Sequence, residues 1–243
     1  MRKYSLWLSV GALTFALGVS AFYSFWFIQR AEFTPLETIA TVHTYECGQS
    51  SSFPGLSREI ASLKKGRDGY FPNDEFSLTM LTDEEYANAW YSRHLKALGE
   101  SSFLDKKKSN VEMYRFLWLR AFHHPISVRI ENRKNEIWLV TAELEGPDPD
   151  LPAKIIRKEK FKLTQNAWCE FSRLLEDSGY WHLVANLDDM GRDGAEWVLE
   201  GRRENRYHAV ERWSPREGEF RDVCIYLLKL SGVDIDKAGK DLY

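Results

Sequence analysis

The run from Leu6 to Ile28, LWLSVGALTFALGVSAFYSFWFI, contains no charged residue. At about 1.5 Å per helical residue, such a run spans a bilayer hydrocarbon core of about 30 Å. Arg2 and Lys3 precede it, and Arg30 follows, offset by Glu32. The positive-inside bias then keeps the N-terminus in the cytoplasm and sends the rest of the chain across the membrane. Phe22, Tyr23, Phe25, Trp26 and Phe27 crowd the far end, where an aromatic belt sits. Two other readings fit the same residues. Val19-Ser20-Ala21 is a small-residue cleavage site, which would make the run a cleaved signal peptide. A buried core helix is the other. The apolar run continues past Ala21, beyond the usual secretory h-region, so an uncleaved single-pass signal anchor is the expected state. No cysteine directly follows the run, and Cys47 lies in Tyr45-Glu46-Cys47-Gly48, which is not a lipidation context.

The expected organisation is a cytoplasmic tip and anchor over residues 1–30, a linker and irregular segment over 31–75, an extracytoplasmic domain over 76–233 and a polar tail over 234–243. Apolar residues make up 44% and charged residues 28% of the sequence, which suits a globular fold. The formal net charge of −3 gives no basic excess for nucleic acid. The partners expected are the membrane, through residues 6–28, and an unidentified protein. Cys47, Cys169 and Cys224 do not form a disulfide framework. In an oxidising compartment one pair could bridge and leave one thiol, Cys169–Cys224 being a possible pair, and buried unpaired thiols are the expected state.

Local patterns predict an α+β domain built on a largely antiparallel sheet with three or four packed helices. Glu37–Tyr45 and Phe76–Leu81 read as strands, and Ser57–Lys65 as a short helix capped by Ser57. Thr82 and Glu85 form a capping box for a helix running to Leu98, with Tyr86, Ala89, Trp90 and Ala97 near one face. Lys106-Lys107-Lys108 reads as a solvated loop. Glu112–Ala121, Ile126–Glu131 and Ile137–Leu144 read as an antiparallel meander. Ile155–Leu163 resumes the sheet, and Thr164 caps a helix whose inward stripe is Trp168, Phe171, Leu174 and Leu175. Ala195–Glu200 and Arg206–Trp213 are strands joined by a Gly201–Asn205 hairpin. Ser214 to Glu217 forms a capping box, with Pro215 at the first helical position, for a last helix packing Phe220, Val223, Cys224, Leu227 and Leu228. An internal repeat is suggested by spacing: Thr82 to Val128 is 128 − 82 = 46 positions, and Thr164 to Val210 is 210 − 164 = 46. That spacing suggests a duplicated β-α-β-β unit.

Candidate chemistry is sparse. Glu196, Glu200, His208 and Arg212 are separated by even numbers of residues, which suggests one shared face of the last hairpin. A carboxylate beside an imidazole is the minimum for general acid–base work, and the same set also suits ordinary cross-strand charge pairing. The second is the expected role, on the exposed face. Asp189, Asp193, Gly194 and Glu200 fall at four positions of a calcium loop, but Gly191 takes a ligand position. Adjacent strand residues face opposite ways, so His123 and His124 are poorly placed to share a metal ion. The sequence has no glycine-rich phosphate loop, no Gly-x-Ser-x-Gly elbow and no His-Glu-x-x-His. No cofactor, no metal site and no established catalytic set is expected.

Four blocks carry a resemblance: Tyr114 to Arg120 (YRFLWLR), Phe122 to Pro125 (FHHP), Asp193 to Gly201 (DGAEWVLEG) and Tyr207 to Pro215 (YHAVERWSP). They resemble a family of bacterial proteins with no assigned activity, over roughly residues 112–233. The resemblance implies a bacterial source and no particular activity. The function expected from the sequence is a membrane-anchored binding or interaction module in the periplasm or outside the cell. The alternatives are a hydrolase-like enzyme using the Glu196, Glu200, His208 and Arg212 face, and an immunity-type inhibitor of an exported toxin.

Overall fold

A computed structural model describes residues 55–66, 69–76, 84–105, 111–146, 154–187, 191 and 193–234. All of them belong to the unit Cys47–Tyr243. The apolar run 6–28, the strand expected at Glu37–Tyr45, the Thr82 capping box and the Lys106–Lys108 loop lie outside the described residues. So does nearly all of the strand expected at Phe76–Leu81.

Among the described residues, seven strands form one sheet in which every pairing is antiparallel. They are β1 (Arg58–Glu59), β2 (Glu112–Arg120), β3 (Ile126–Arg133), β4 (Glu136–Leu144), β5 (Ile155–Leu163), β6 (Ala195–Arg203) and β7 (Arg206–Trp213). Their order is β1-β7-β6-β2-β3-β4-β5. Three α-helices are described: α1 (Glu84–Ala97), α2 (Gln165–Asp177) and α3 (Glu219–Leu230). The α+β class and the antiparallel sheet agree with the sequence pattern. The alternation of the pleat divides the buried side chains between two faces.

On one face, Trp118, Trp197, Leu199 and Val210 of the sheet meet Trp168, Phe171 and Leu175 of α2 and Val223, Leu227 and Leu228 of α3. The Thr164 hydroxyl accepts a hydrogen bond from Ala167 N at 3.2 Å, as its place before α2 requires. On the other face, Leu117, Val198, Tyr207 and Ala209 meet Ala87, Tyr91 and Leu95 of α1 and Leu98 just after it. The buried stripe of α1 is therefore offset from the expected one: Ala89, Trp90 and Ala97 are half-buried at its margin. Tyr91 is anchored instead by edge contacts with Phe71 and Phe76. Gly99 ends the turn after α1 with φ +66°, a conformation that glycine adopts without steric penalty.

Four expectations need correction. The described part of the expected 31–75 linker, residues 55–66 and 69–75, is not linker. Arg58 and Glu59 pair with Arg206 and Tyr207 of β7, and Phe71 and Phe76 are core. Ser57 caps no helix: its hydroxyl accepts from Arg206 Nε at 3.0 Å, and only a 3-10 turn, Ile60–Ser62, follows β1. Ser214 is likewise no helix cap. Its hydroxyl accepts from Ala195 N at 2.9 Å, closing the open end of the hairpin, and α3 begins later, after Gly218. Pro215 is therefore not its first residue. Cys169 is disulfide-bonded, whereas Cys224 is buried and free, so neither a Cys169–Cys224 bridge nor a wholly unpaired set describes the chain.

The repeat does not survive the register. Val128 pairs with Phe116, and Val210 with Leu199. The offset of 210 − 128 = 82 that carries Val128 to Val210 carries Phe116 to Val198, whose side chain faces α1. A one-residue slip reverses a strand's faces. In addition, α1 and α2 pack on opposite faces of the sheet. A two-fold axis that exchanged the antiparallel neighbours β2 and β6 would leave both helices on the same face.

Candidate functional site

The turn between β6 and β7 decides where the candidate residues go. It consists of Glu204 and Asn205 alone, with Glu204 at φ +53°. Arg203 therefore pairs with Arg206, Gly201 with His208, Glu200 with Ala209, and Trp197 with Arg212. Every cross-strand pair joins an odd to an even position. Four even-numbered residues on such a hairpin cannot share a face. Glu196 and Glu200 point toward α1, and His208 and Arg212 toward the opposite face. The expected exposed acid–base face is thus corrected on two counts: the set is split, and Glu200 and His208 are buried.

Glu200 lies in a buried charge network on the α1 side. Arg115 of β2 is its cross-strand partner, and the Arg115 guanidinium is paired with the Glu200 carboxylate. Arg115 also donates to Glu100 at 3.3 Å and to the Ser101 carbonyl at 2.9 Å. Its guanidinium carbon stands 4.4 Å from the centroid of the Phe103 ring. Glu100 in turn accepts from Arg129 Nε at 2.7 Å, and Arg129 pairs with Glu131. Burial opposes ionisation of Glu100, yet Arg115 and Arg129 outweigh it and hold its pKa below the ordinary carboxyl value. Burial pushes the Glu200 carboxyl upward against the pull of Arg115, which it shares with Glu100. Burial also disfavours the Arg115 cation, but Glu200 and Glu100 more than compensate and keep it charged.

Two further carboxylates tie peripheral elements to the hairpin. Glu196 accepts from Trp90 Nε1 of α1 at 2.9 Å. Burial raises its pKa to about 7, with the indole hydrogen bond opposing. Glu75 accepts from Ala209 N at 3.1 Å and pairs with Arg58. Its pKa also rises to about 7, from burial that Arg58 only partly offsets.

His208 and Arg212 serve the other face. His208 Nε2 lies 2.9 Å from the Leu183 carbonyl, which makes that nitrogen the donor. The ring packs against Tyr180 and Trp181 at centroid distances of 5.2 and 6.3 Å. Burial lowers the pKa of His208 to about 4, so the ring is neutral near pH 7. Opposite His208, Gly201 has no side chain to spare room for: an added Cβ would sit 2.7 Å from the Tyr114 ring and 2.8 Å from the Tyr180 hydroxyl. That space lets the Tyr180 hydroxyl donate to the His208 carbonyl at 2.6 Å. Arg212 donates to the carbonyls of Glu211 at 2.6 Å and Val184 at 3.1 Å.

Chemically, this arrangement fixes elements in place. Each of the four candidates is held by backbone or by a side chain of the scaffold, and the imidazole faces away from both carboxylates. His124 Nδ1 stands 3.3 Å from Glu143, a contact separate from this set. Among the described residues no group of three or more His, Cys, Asp or Glu side chains is placed to hold a metal ion. Arg115, Glu100 and Glu75 were not singled out from the sequence. The available signal was Arg115 within the apolar run MYRFLWL, since an arginine in a buried strand demands a carboxylate partner.

The shifted groups give a pH dependence with a definite sign. Glu75 and Glu196 have raised values, so their contribution is full below about pH 4.5 and is lost as pH rises toward about 7. His208 has a lowered value, so its contribution is full above pH 6.5 and is lost as pH falls through about 4. Between pH 4.5 and 6.5 the folded chain holds two protons that the unfolded chain releases and lacks one that it binds. Glu200 and Glu112 add to the first effect, whereas the contribution of Glu100, held below the ordinary carboxyl value, changes only below this window. Stability should therefore fall as pH rises across this window. Thermal unfolding of the full chain at its two ends measures this, and Glu75→Gln with Glu196→Gln should flatten the slope. A stability that climbs with pH there would contradict the assignment.

No protein-family model matches the chain, and no curated protein matches it.

Proposed function

We propose that the chain is a membrane-anchored, extracytoplasmic binding or interaction module whose polar hairpin residues are scaffold. The observation that carries this reading is the division of Glu196, Glu200, His208 and Arg212 between two faces, each residue held by structural partners. General acid–base catalysis needs its groups within reach of one substrate, and this set offers no such point of convergence. A hydrolase using these four residues is correspondingly disfavoured. The membrane part of the proposal rests on the uncharged run Leu6–Ile28 with Arg2 and Lys3 before it. Among the described residues no helix is long and apolar enough to cross a membrane, and residues 6–28 lie outside them. The disulfide-bonded state of Cys169 supports an oxidising compartment for the domain.

Topology reporters test the placement. A reporter active only outside the cytoplasm, fused after Tyr243, should be active, and the chain should stay with the membrane after a high-salt wash. Activity of a cytoplasm-only reporter would overturn the orientation. Recovery of a shortened soluble form would overturn the anchor.

A further inference from the structure

We propose that β5 is a docking edge for an extended acidic strand of a partner protein. The proposal deepens the binding-module reading and rests on it, while its observations are separate. β5 ends the sheet order, so among the described residues no strand pairs with its outer side. It runs nine residues, Ile155–Leu163, with no proline, and its one register irregularity lies at the Glu143/Leu144 end of β4. An edge of this length and regularity presents a row of backbone donors and acceptors to any strand that can approach.

The side chains decide which strand that is. On the α1-side face β5 carries Lys158, Lys160 and Lys162, all exposed. Successive lysines stand about 6.6 Å apart along the strand. Lys162 pairs with Glu136 at 3.1 Å. Lys160 instead stands 4.7 Å from the centroid of the Trp138 ring, and Lys158 reaches the carbonyls of Leu98 and Gly99 at 3.4 and 3.3 Å. Those two have no carboxylate partner among the described residues. The opposite face of β5 is different: Arg157 is paired with Glu159 at 2.6 Å, and Phe161 and Leu163 pack on the core. The basic row is therefore one-sided.

A second copy of β5 does not fit this edge. Antiparallel self-pairing would set lysines directly against lysines, which is destabilising. Edge lysines block unselected pairing for the same reason. A strand with carboxylates at alternate positions removes the barrier and places each acid beside a lysine. Backbone hydrogen bonds then supply affinity and the alternating side chains supply specificity.

The probe is a fluorescein-labelled nonapeptide alternating Glu and Val, titrated against the full chain in detergent and followed by fluorescence anisotropy. Two control peptides accompany it: one with a central proline, which cannot donate a backbone hydrogen bond, and one alternating Lys and Val. The Glu–Val peptide should bind saturably. The proline peptide should bind on the order of tenfold more weakly, and the Lys–Val peptide should not bind. Reversal of the row by Lys158→Glu, Lys160→Glu and Lys162→Glu should exchange the preference toward Lys–Val. Equal binding of the proline peptide would reduce the edge to a charged surface and overturn strand addition. No binding of the Glu–Val peptide, or its displacement by phosphatidylglycerol vesicles, would also overturn the proposal. The peptide panel is decided on the unmodified chain, so a reversed variant that fails to fold does not stall the test. Binding in detergent does not depend on membrane orientation, so its failure and failure of the topology reporter are distinct results.

Discussion

Arg115→Ala is expected to destabilise the domain by about 3–5 kcal/mol, because it leaves buried carboxylates without their cation. Arg115 and both of its acidic partners, Glu100 and Glu200, have side chains 1% exposed, so solvent cannot replace the missing charge. Arg129 still reaches Glu100 at 2.7 Å, so the unpaired charge falls chiefly on Glu200. The variant should recover part of its stability at lower pH, where Glu200 takes up a proton. Denaturant unfolding of the full chain, with and without acidification, measures both effects. A loss below about 1 kcal/mol would place these groups in solvent contact and contradict the network.

Trp197→Ala should cost a similar amount, about 3–5 kcal/mol, by a different mechanism. Its ring is fully buried at the centre of the α2–α3 face. It meets Phe116 at 5.1 Å and Trp118 at 5.9 Å between centroids, and Arg221 of α3 stands 5.9 Å from its centroid. The rigid sheet on one side and α3 on the other leave little freedom to close the cavity. This loss should not change with pH, in contrast to Arg115→Ala. Trp213→Ala should cost less than Trp197→Ala, because Trp213 is only half-buried at the strand end. Equal losses at 197 and 213 would shift the centre of the core toward the hairpin terminus.

The main strands and the stripes of α2 and α3 were legible because burial imposes periods of two and 3.6 that the apolar residues obey. Ile126, Val128 and Ile130, and Trp168, Phe171 and Leu175, are plain examples. The faces of the last hairpin were not legible. Reading Gly201–Asn205 as the loop left the register open, and only a two-residue turn at Glu204 and Asn205 fixes which parities face each other. That single register moved His208 from an expected exposed position to the Tyr180–Trp181 side of the core. The buried network was hidden for a related reason: Glu100, Arg115 and Glu200 are far apart in sequence and meet only through β2–β6 pairing and the turn after α1. Ser214 shows the limit of local motifs. Its sequence context fits a helix cap, yet at φ 44° its hydroxyl turns back to Ala195 N.

Double-mutant cycles on unfolding free energy compare Glu200 with Arg115 and Glu200 with His208, using Glu200→Gln, Arg115→Met and His208→Gln. A hairpin whose carboxylates and imidazole serve opposite faces predicts coupling of about 0.5–3 kcal/mol between Glu200 and Arg115. It predicts additivity within about 0.5 kcal/mol between Glu200 and His208. Coupling to His208 larger than coupling to Arg115 would contradict the split, put the two groups on one face, and return them to a shared acid–base site.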